Sequence, residues 1–194
     1  MLKNFSKRYP LVVFFILMIV FITPLALAWT LINTQQNLHQ RTTNHGKFIK
    51  PPLSLNKLSL KDSGGKQINT KYWRGKWVLL YVNSEVTCAR DCEVQLLNMR
   101  QIRLATGKHM DHVLRVILTF DTGENLSKLS SMVRRRYTGT VIAHTAKKEF
   151  ERFARHLDGM IYIADPRGNL MMSFDKNVPR LHVFKDLQHL LRVN

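Results

Sequence analysis

Hydrophobic positions fall into one long block near the N-terminus and a series of short runs after it. The first block extends from Leu11 to Ile32, and no charged residue occurs between Tyr9 and Gln40. Leu11–Trp29 alone approaches the ~20 apolar residues that a helix needs to cross a bilayer core. Downstream, Trp77–Val82 is a continuous apolar run rich in β-branched and aromatic residues, the pattern of a central strand buried on both faces. Val113–Phe120 reads as a second strand and Met160–Ala164 as a third. Leu170–Phe174 pairs back on the third strand through Asp165-Pro166-Arg167-Gly168, a turn with Pro at its second position. Helical patterns cover Glu93–Thr106, Asn125–Tyr137, Ala146–Leu157 and His182–Arg192, and Gly107 stands where the first of them should stop. Leu58 and Leu60 alternate ahead of Ser63-Gly64-Gly65, a hairpin signal. Strands alternating with helices and closing on a hairpin define an α/β class with parallel and antiparallel pairs.

These elements divide the chain into a cytoplasmic tail (1–10), a transmembrane anchor (11–32), a polar tether (33–55) and one domain (56–194). Pro51-Pro52 and the preceding Gln, Asn and Thr clusters give the tether its reading. Ala26-Leu27-Ala28 resembles a cleavage site, so a secretory signal peptide is the rival to an anchor. The apolar block exceeds the ~7–15 residues of a signal-peptide core, which favours the anchor. Lys3, Lys7 and Arg8 place the N-terminus in the cytoplasm by the positive-inside rule. The expected location is a bacterial inner membrane, single-pass, with the C-terminal domain in the periplasm.

Charge adds a second constraint. All 13 acidic residues and 27 of the 30 Lys and Arg follow the apolar block, leaving a net charge of +14 there. Such an excess favours anionic partners, among them an acidic protein or an anionic lipid surface. Nucleic acid is not expected, because no aromatic–basic interleaving or zinc-finger spacing accompanies the charge. Arg134-Arg135-Arg136 is the densest basic run and is expected on the solvent face of a helix.

The only two cysteines stand together in Cys88-Ala89-Arg90-Asp91-Cys92. At i and i+4 near a helix start they share a face, so their sulfurs can meet each other or one ion. The bland alternative is a pair of small buried hydrophobes. A disulfide over so short a loop adds little to folding, so its value would lie in redox or metal chemistry. Thiolates are soft donors suited to Cu(I) or, in another geometry, Zn(II). In thiol exchange, Cys88 in the loop would attack and Cys92 would resolve.

Trp73-Arg74-Gly75-Lys76-Trp77-Val78-Leu79-Leu80-Tyr81, the cysteine pair and the Asp165–Gly168 hairpin, in this order, resemble the thioredoxin-like fold and within it the Sco/SenC copper chaperones. The resemblance covers about residues 56–193 and implies a thioredoxin-like sandwich with a mixed central sheet behind one transmembrane helix. It further implies Cu(I) held by Cys88, Cys92 and a histidine, for which His156 is the candidate, and a respiratory oxidase subunit or its assembly factors as partner. This chain departs from that family in having Ala89 and Glu93 where prolines usually follow the cysteines. At the usual offset of the third ligand it has Leu157, with His156 one residue earlier. His39, His45, His109, His112, His144, His182 and His189 show no paired metal spacing.

Three functions remain open on this reading. The first is copper binding in cytochrome c oxidase assembly. The second is a thiol–disulfide reductant that maintains a partner's copper-site cysteines. The third is a non-catalytic assembly scaffold. A metallochaperone or assembly factor fits better than an enzyme: general oxidoreductases use C-x-x-C with a cis-proline facing it, and no proline occurs between Pro52 and Pro166.

Overall fold

The computed structural model describes residues 10–35, 44–69, 72–83, 88–154 and 161–193. The chain divides into two compact units, residues 1–43 and 44–194. In the first, helix α1 (Pro10–Gln35) is a single run of 26 residues with Pro24 inside it. Its segment Leu11–Thr30 is long and apolar enough to cross a membrane, and Phe14, Phe21, Leu25 and Trp29 all stand exposed. A helix apolar on every side has no water-facing stripe, which is the pattern of a lipid-facing span.

The second unit is a six-stranded mixed sheet with helices on both faces. Its elements are β1 (Lys47–Ser54), β2 (Trp77–Asn83), α2 (Arg90–Ala105), β3 (Val113–Thr119), α3 (Gly123–Arg136), β4 (Thr140–His144), α4 (Lys147–Phe153), β5 (Ile161–Ala164), β6 (Asn169–Phe174) and α5 (Arg180–Val193). Strand order is β1-β6-β5-β2-β3-β4. Strands β2, β3 and β4 run parallel, while β5, β6 and β1 are added by antiparallel pairing. This is the α/β architecture that the sequence pattern predicts and the thioredoxin-like fold that the family resemblance implies.

Strand β2 has all seven residues buried, and alternation sends them into two cores. Trp77, Leu79 and Tyr81 join Val113, Ile117, Met99, Val133 and Leu187 on the face covered by α2, α3 and α5. Val78, Leu80 and Val82 meet Leu55, Trp73 and Phe150 on the opposite face. Helix α2 buries Cys92, Gln95, Leu96, Met99 and Ile102, a spacing that keeps one stripe against the sheet. It ends at Thr106, and Gly107 follows at φ +56°, a left-handed position where a side chain would be strained.

Two strands lie where the sequence pattern predicts none. Lys47–Ser54 falls inside the expected tether yet pairs with β6, Lys47 opposite Ser173 and Ser54 opposite Asn169. Pro51 and Pro52 conceal it, but β1 is an edge strand whose register shifts between Phe48 and Leu53, and edges and bulges tolerate a residue without an N–H. The domain therefore begins near Asn44 rather than at residue 56. Strand β4 is only five residues long and sits between two helical patterns, too short to show an alternation. The expected hairpin at Ser63–Gly65 is reduced to one bridge, Lys61 with Gln67. The third expected helix forms as α4 but stops at Phe153, where Ala154 leaves the helical conformation (φ −149°, ψ 86°); the rest of the predicted span, through Leu157, lies outside the described residues.

Asp186 fastens the start of the domain to α5. It is 4 % exposed, and its carboxylate accepts the backbone N–H groups of His45 at 2.8 Å and Gly46 at 2.9 Å and meets His45 Nδ1 at 3.0 Å. Asp186→Ala leaves those backbone donors without their acceptor and is expected to cost about 2 kcal/mol in urea unfolding. Leu96→Ala, which empties a fully buried site under α2, is expected to cost about 3 kcal/mol in the same measurement.

Candidate functional site

The chain leaves the C-terminal end of β2 at Asn83 and re-enters the described structure at Cys88, immediately before α2. Open α/β sheets place reactive loops at this edge, where strands hand over to helices. Cys88 and Cys92 are joined by a disulfide, with their Cα atoms 5.1 Å apart. Cys92 is fully buried in the core cluster that holds Tyr81, Ile161 and Phe174. Cys88 is partly exposed and packs on the same cluster from outside. Cys88 is thus the more accessible of the two residues, and Cys92 is protected.

The helix start that carries the pair lacks a side-chain cap. Ala89 occupies the cap position in extended conformation, and its carbonyl accepts the N–H of Glu93 at 3.0 Å. First-turn N–H groups and the positive end of the helix dipole favour an anion at this point, a thiolate included. Asp91 and Glu93 in the same turn oppose that effect. Glu93 is partly neutralised by Arg136, whose Nη1 lies 3.2 Å from Oε2. The Tyr137 hydroxyl donates to the Glu93 carbonyl at 3.4 Å; burial, and then the Glu93 carboxylate, push its pKa up. Gln95 Nε2 donates to the Lys176 carbonyl at 3.2 Å and ties α2 to the segment ahead of α5.

His156, the candidate third ligand, lies outside the described residues. Among the described residues no group of three or more His, Cys, Asp and Glu side chains is placed to hold a metal. The cysteines offer two soft donors once reduced. Met172 is buried in the core. The structure does bring together two histidines that sequence spacing leaves apart. The His45 and His182 rings stack with centroids 4.0 Å apart, beside Asp186. His182 and Asp186 are four apart on α5, a visible signal, but His45 is far away in sequence and only the β1 connection delivers it.

Comparison with known proteins places this geometry. In structure, the domain is similar to copper-bound ScoI of Arabidopsis thaliana, at 16 % identity and TM-score 0.57 over 74 % of this chain and 98 % of that one. Copper-bound yeast Sco1 gives 16 % identity and TM-score 0.60 over 75 % and 96 %. Copper-bound ScoI of Bradyrhizobium japonicum gives 18 % and 0.52 over 73 % and 98 %. The likeness to Sco proteins thus holds for the fold. Residues 77–194 match the profile of the transmembrane-like, thioredoxin-like, C-terminal domain, and the chain belongs to that family. No curated protein matches it in sequence.

Burial orders the reactivity of the pair. After reduction, Cys88 is expected to alkylate well before Cys92, as peptide mass spectrometry of a timed iodoacetamide reaction would record; equal rates would contradict the burial difference. Reduction alone should leave the domain folded, with a stability loss of about 2 kcal/mol for a loop this short.

Proposed function

We propose that this protein is a membrane-anchored, Sco-like copper-binding protein whose Cys88–Cys92 pair takes Cu(I) as cargo when reduced. The observation that carries the reading is the placement of both cysteines on one helix-start face, one partly exposed and one buried, in a fold shared with copper-bound Sco proteins. An external thiol donor reduces the disulfide, itself becoming oxidised to a disulfide, and leaves two thiols; Cu(I) then displaces their protons and is held by two thiolates. His156 is the proposed third ligand. The proposed role is assistance to cytochrome c oxidase assembly, with an oxidase subunit or assembly factor as recipient. The anchor is α1, and the proposed location is a bacterial inner membrane with the domain in the periplasm.

A second reading is favoured by the disulfide itself. In it the pair is a thiol–disulfide reductant for a partner's copper-site cysteines. The Cys88 thiolate attacks the partner disulfide, one partner thiol leaves, and Cys92 then displaces the second as the Cys88–Cys92 bond forms again. Two electrons pass to the partner and an external thiol donor restores the pair.

Chelator competition on the reduced full-length protein separates these readings. Copper binding predicts one Cu(I) per chain, lost in Cys88→Ser and in Cys92→Ser, and weakened by about tenfold in His156→Ala. Equal and poor competition by wild type and the double Cys→Ser variant would contradict it. For topology, alkaline phosphatase fused after residue 194 is expected to be active; an inactive fusion alongside an active cytoplasmic reporter would reverse the orientation.

A further inference from the structure

Two adjoining hollows lie between the exposed side of α3 and the turn at residues 62–65, far from the cysteines in sequence. They measure about 300 and 450 Å³ and share Ser63, Ser130 and Arg134. The outer hollow adds Ser127, Ser131 and Arg135, and the inner one is floored by Thr138, Gly139 and Thr140. Arg134 and Arg135 are exposed, and neither forms an ion pair among the described residues. Asp62 is the only carboxylate lining either hollow, and its Oδ1 already accepts the backbone N–H groups of Gly64 and Lys66, each at 2.9 Å.

Beneath the floor lies a third guanidinium. Arg115 on β3 is 3 % exposed, and its Nη2 donates to the Thr138 carbonyl at 2.5 Å. A side chain on Gly139 would come within 3.3 Å of that same nitrogen, so the charge sits directly behind the wall of the inner hollow. Its Nε and Nη1 have no hydrogen-bond partner, and neither does Thr140 Oγ1, although β3–β4 register sets Arg115 beside Thr140. Among the described residues no carboxylate pairs with Arg115; the nearby charges of Arg103 and Arg100 are also positive, and burial first, then these cations, lower its pKa to about 10. An unpaired buried cation is costly, and its field is weakly screened by the protein around it.

We propose that this cleft binds a phosphate-type oxyanion, with Arg134 and Arg135 as its charged donors, the Ser63 and Ser130 hydroxyls as neutral donors, and Arg115 supplying positive potential from behind Thr138–Thr140; the Ser127 and Ser131 hydroxyls already donate to the Gly123 and Lys128 carbonyls at 3.1 and 2.8 Å. Guanidinium forks match the paired oxygens of a phosphate, and hydroxyls complete the shell of a tetrahedral anion. The same chemistry is offered by free phosphate and by the phosphodiester of a lipid headgroup.

Calorimetric titration of the full chain in neutral detergent, at constant ionic strength set with chloride, decides the matter. The probes are inorganic phosphate and glycerophosphoglycerol, the soluble headgroup of phosphatidylglycerol. Saturable binding of either is expected, weakened by about tenfold or more in the double variant R134Q/R135Q, which changes only exposed side chains and should melt at the wild-type temperature. Binding of phosphate alone points to a free anion, and binding of the headgroup probe to a lipid; both support the site. No saturable binding of either probe, or equal binding by wild type and R134Q/R135Q, overturns it.

Discussion

Strand β2 sets the terms for the rest of the domain, because it is dry on both faces and shared by both cores. It is also the seam between the two halves of the sheet, parallel to β3 on one side and antiparallel to β5 on the other. A strand that is apolar throughout cannot choose its own register, since a slip of one residue exchanges one buried face for another. The ends of β2 must supply that choice. At the entry, Gly75 at φ +82° donates its N–H to the Pro166 carbonyl at 3.0 Å, and the buried Trp73 packs against Gly168 of the β5–β6 turn. Gly168 stands at φ +85°, a left-handed position that strains any side chain, and a Cβ there would also come within 3.2 Å of Trp73 Nε1, so the turn and the strand entry favour glycine. The exit at Asn83 is thereby held in place, and with it the point from which the cysteine loop departs.

The reactive pair inherits this rigidity. Cys92 is locked in the core under α2, while Cys88 lies in the short approach to the helix. Because a disulfide between them closes so small a loop, making and breaking it shifts stability by about 2 kcal/mol, less than a long-range cross-link would, and leaves the fold in place. That separation of redox chemistry from folding is what a cargo or exchange site requires: the pair cycles and the scaffold stays. The surrounding charges are mixed, with Asp91 and Glu93 in the first turn against an uncapped helix start and Arg136. The densest basic run lies elsewhere, at the end of α3, where Arg134 and Arg135 line a hollow with serines rather than sulfur.

Much of this was legible in the residues. The long apolar block, the central strand Trp77–Val82, the helix behind the cysteines and the Asp165–Gly168 turn each carry a strong local signal, and each is found with ends shifted by a few residues. Strand β1 was hidden because its prolines forbid a central strand, and only tertiary pairing reveals that it is an edge. The Arg115–Thr140 contact was hidden for a related reason. An arginine in the run Val113–Phe120 reads as a surface excursion, whereas parallel pairing on both sides buries it beside a strand too short to recognise. The His45–Asp186 anchor joins the two ends of the domain, a distance over which no local pattern operates.

X-ray absorption at the copper edge tests the central claim most directly, since it reports the donor atoms themselves. For the reduced full-length protein loaded with one equivalent of Cu(I), the account predicts two sulfur scatterers in the first shell, reduced to one in Cys88→Ser or Cys92→Ser. A first shell of nitrogen and oxygen alone in the wild-type protein, unchanged by either substitution, would contradict it.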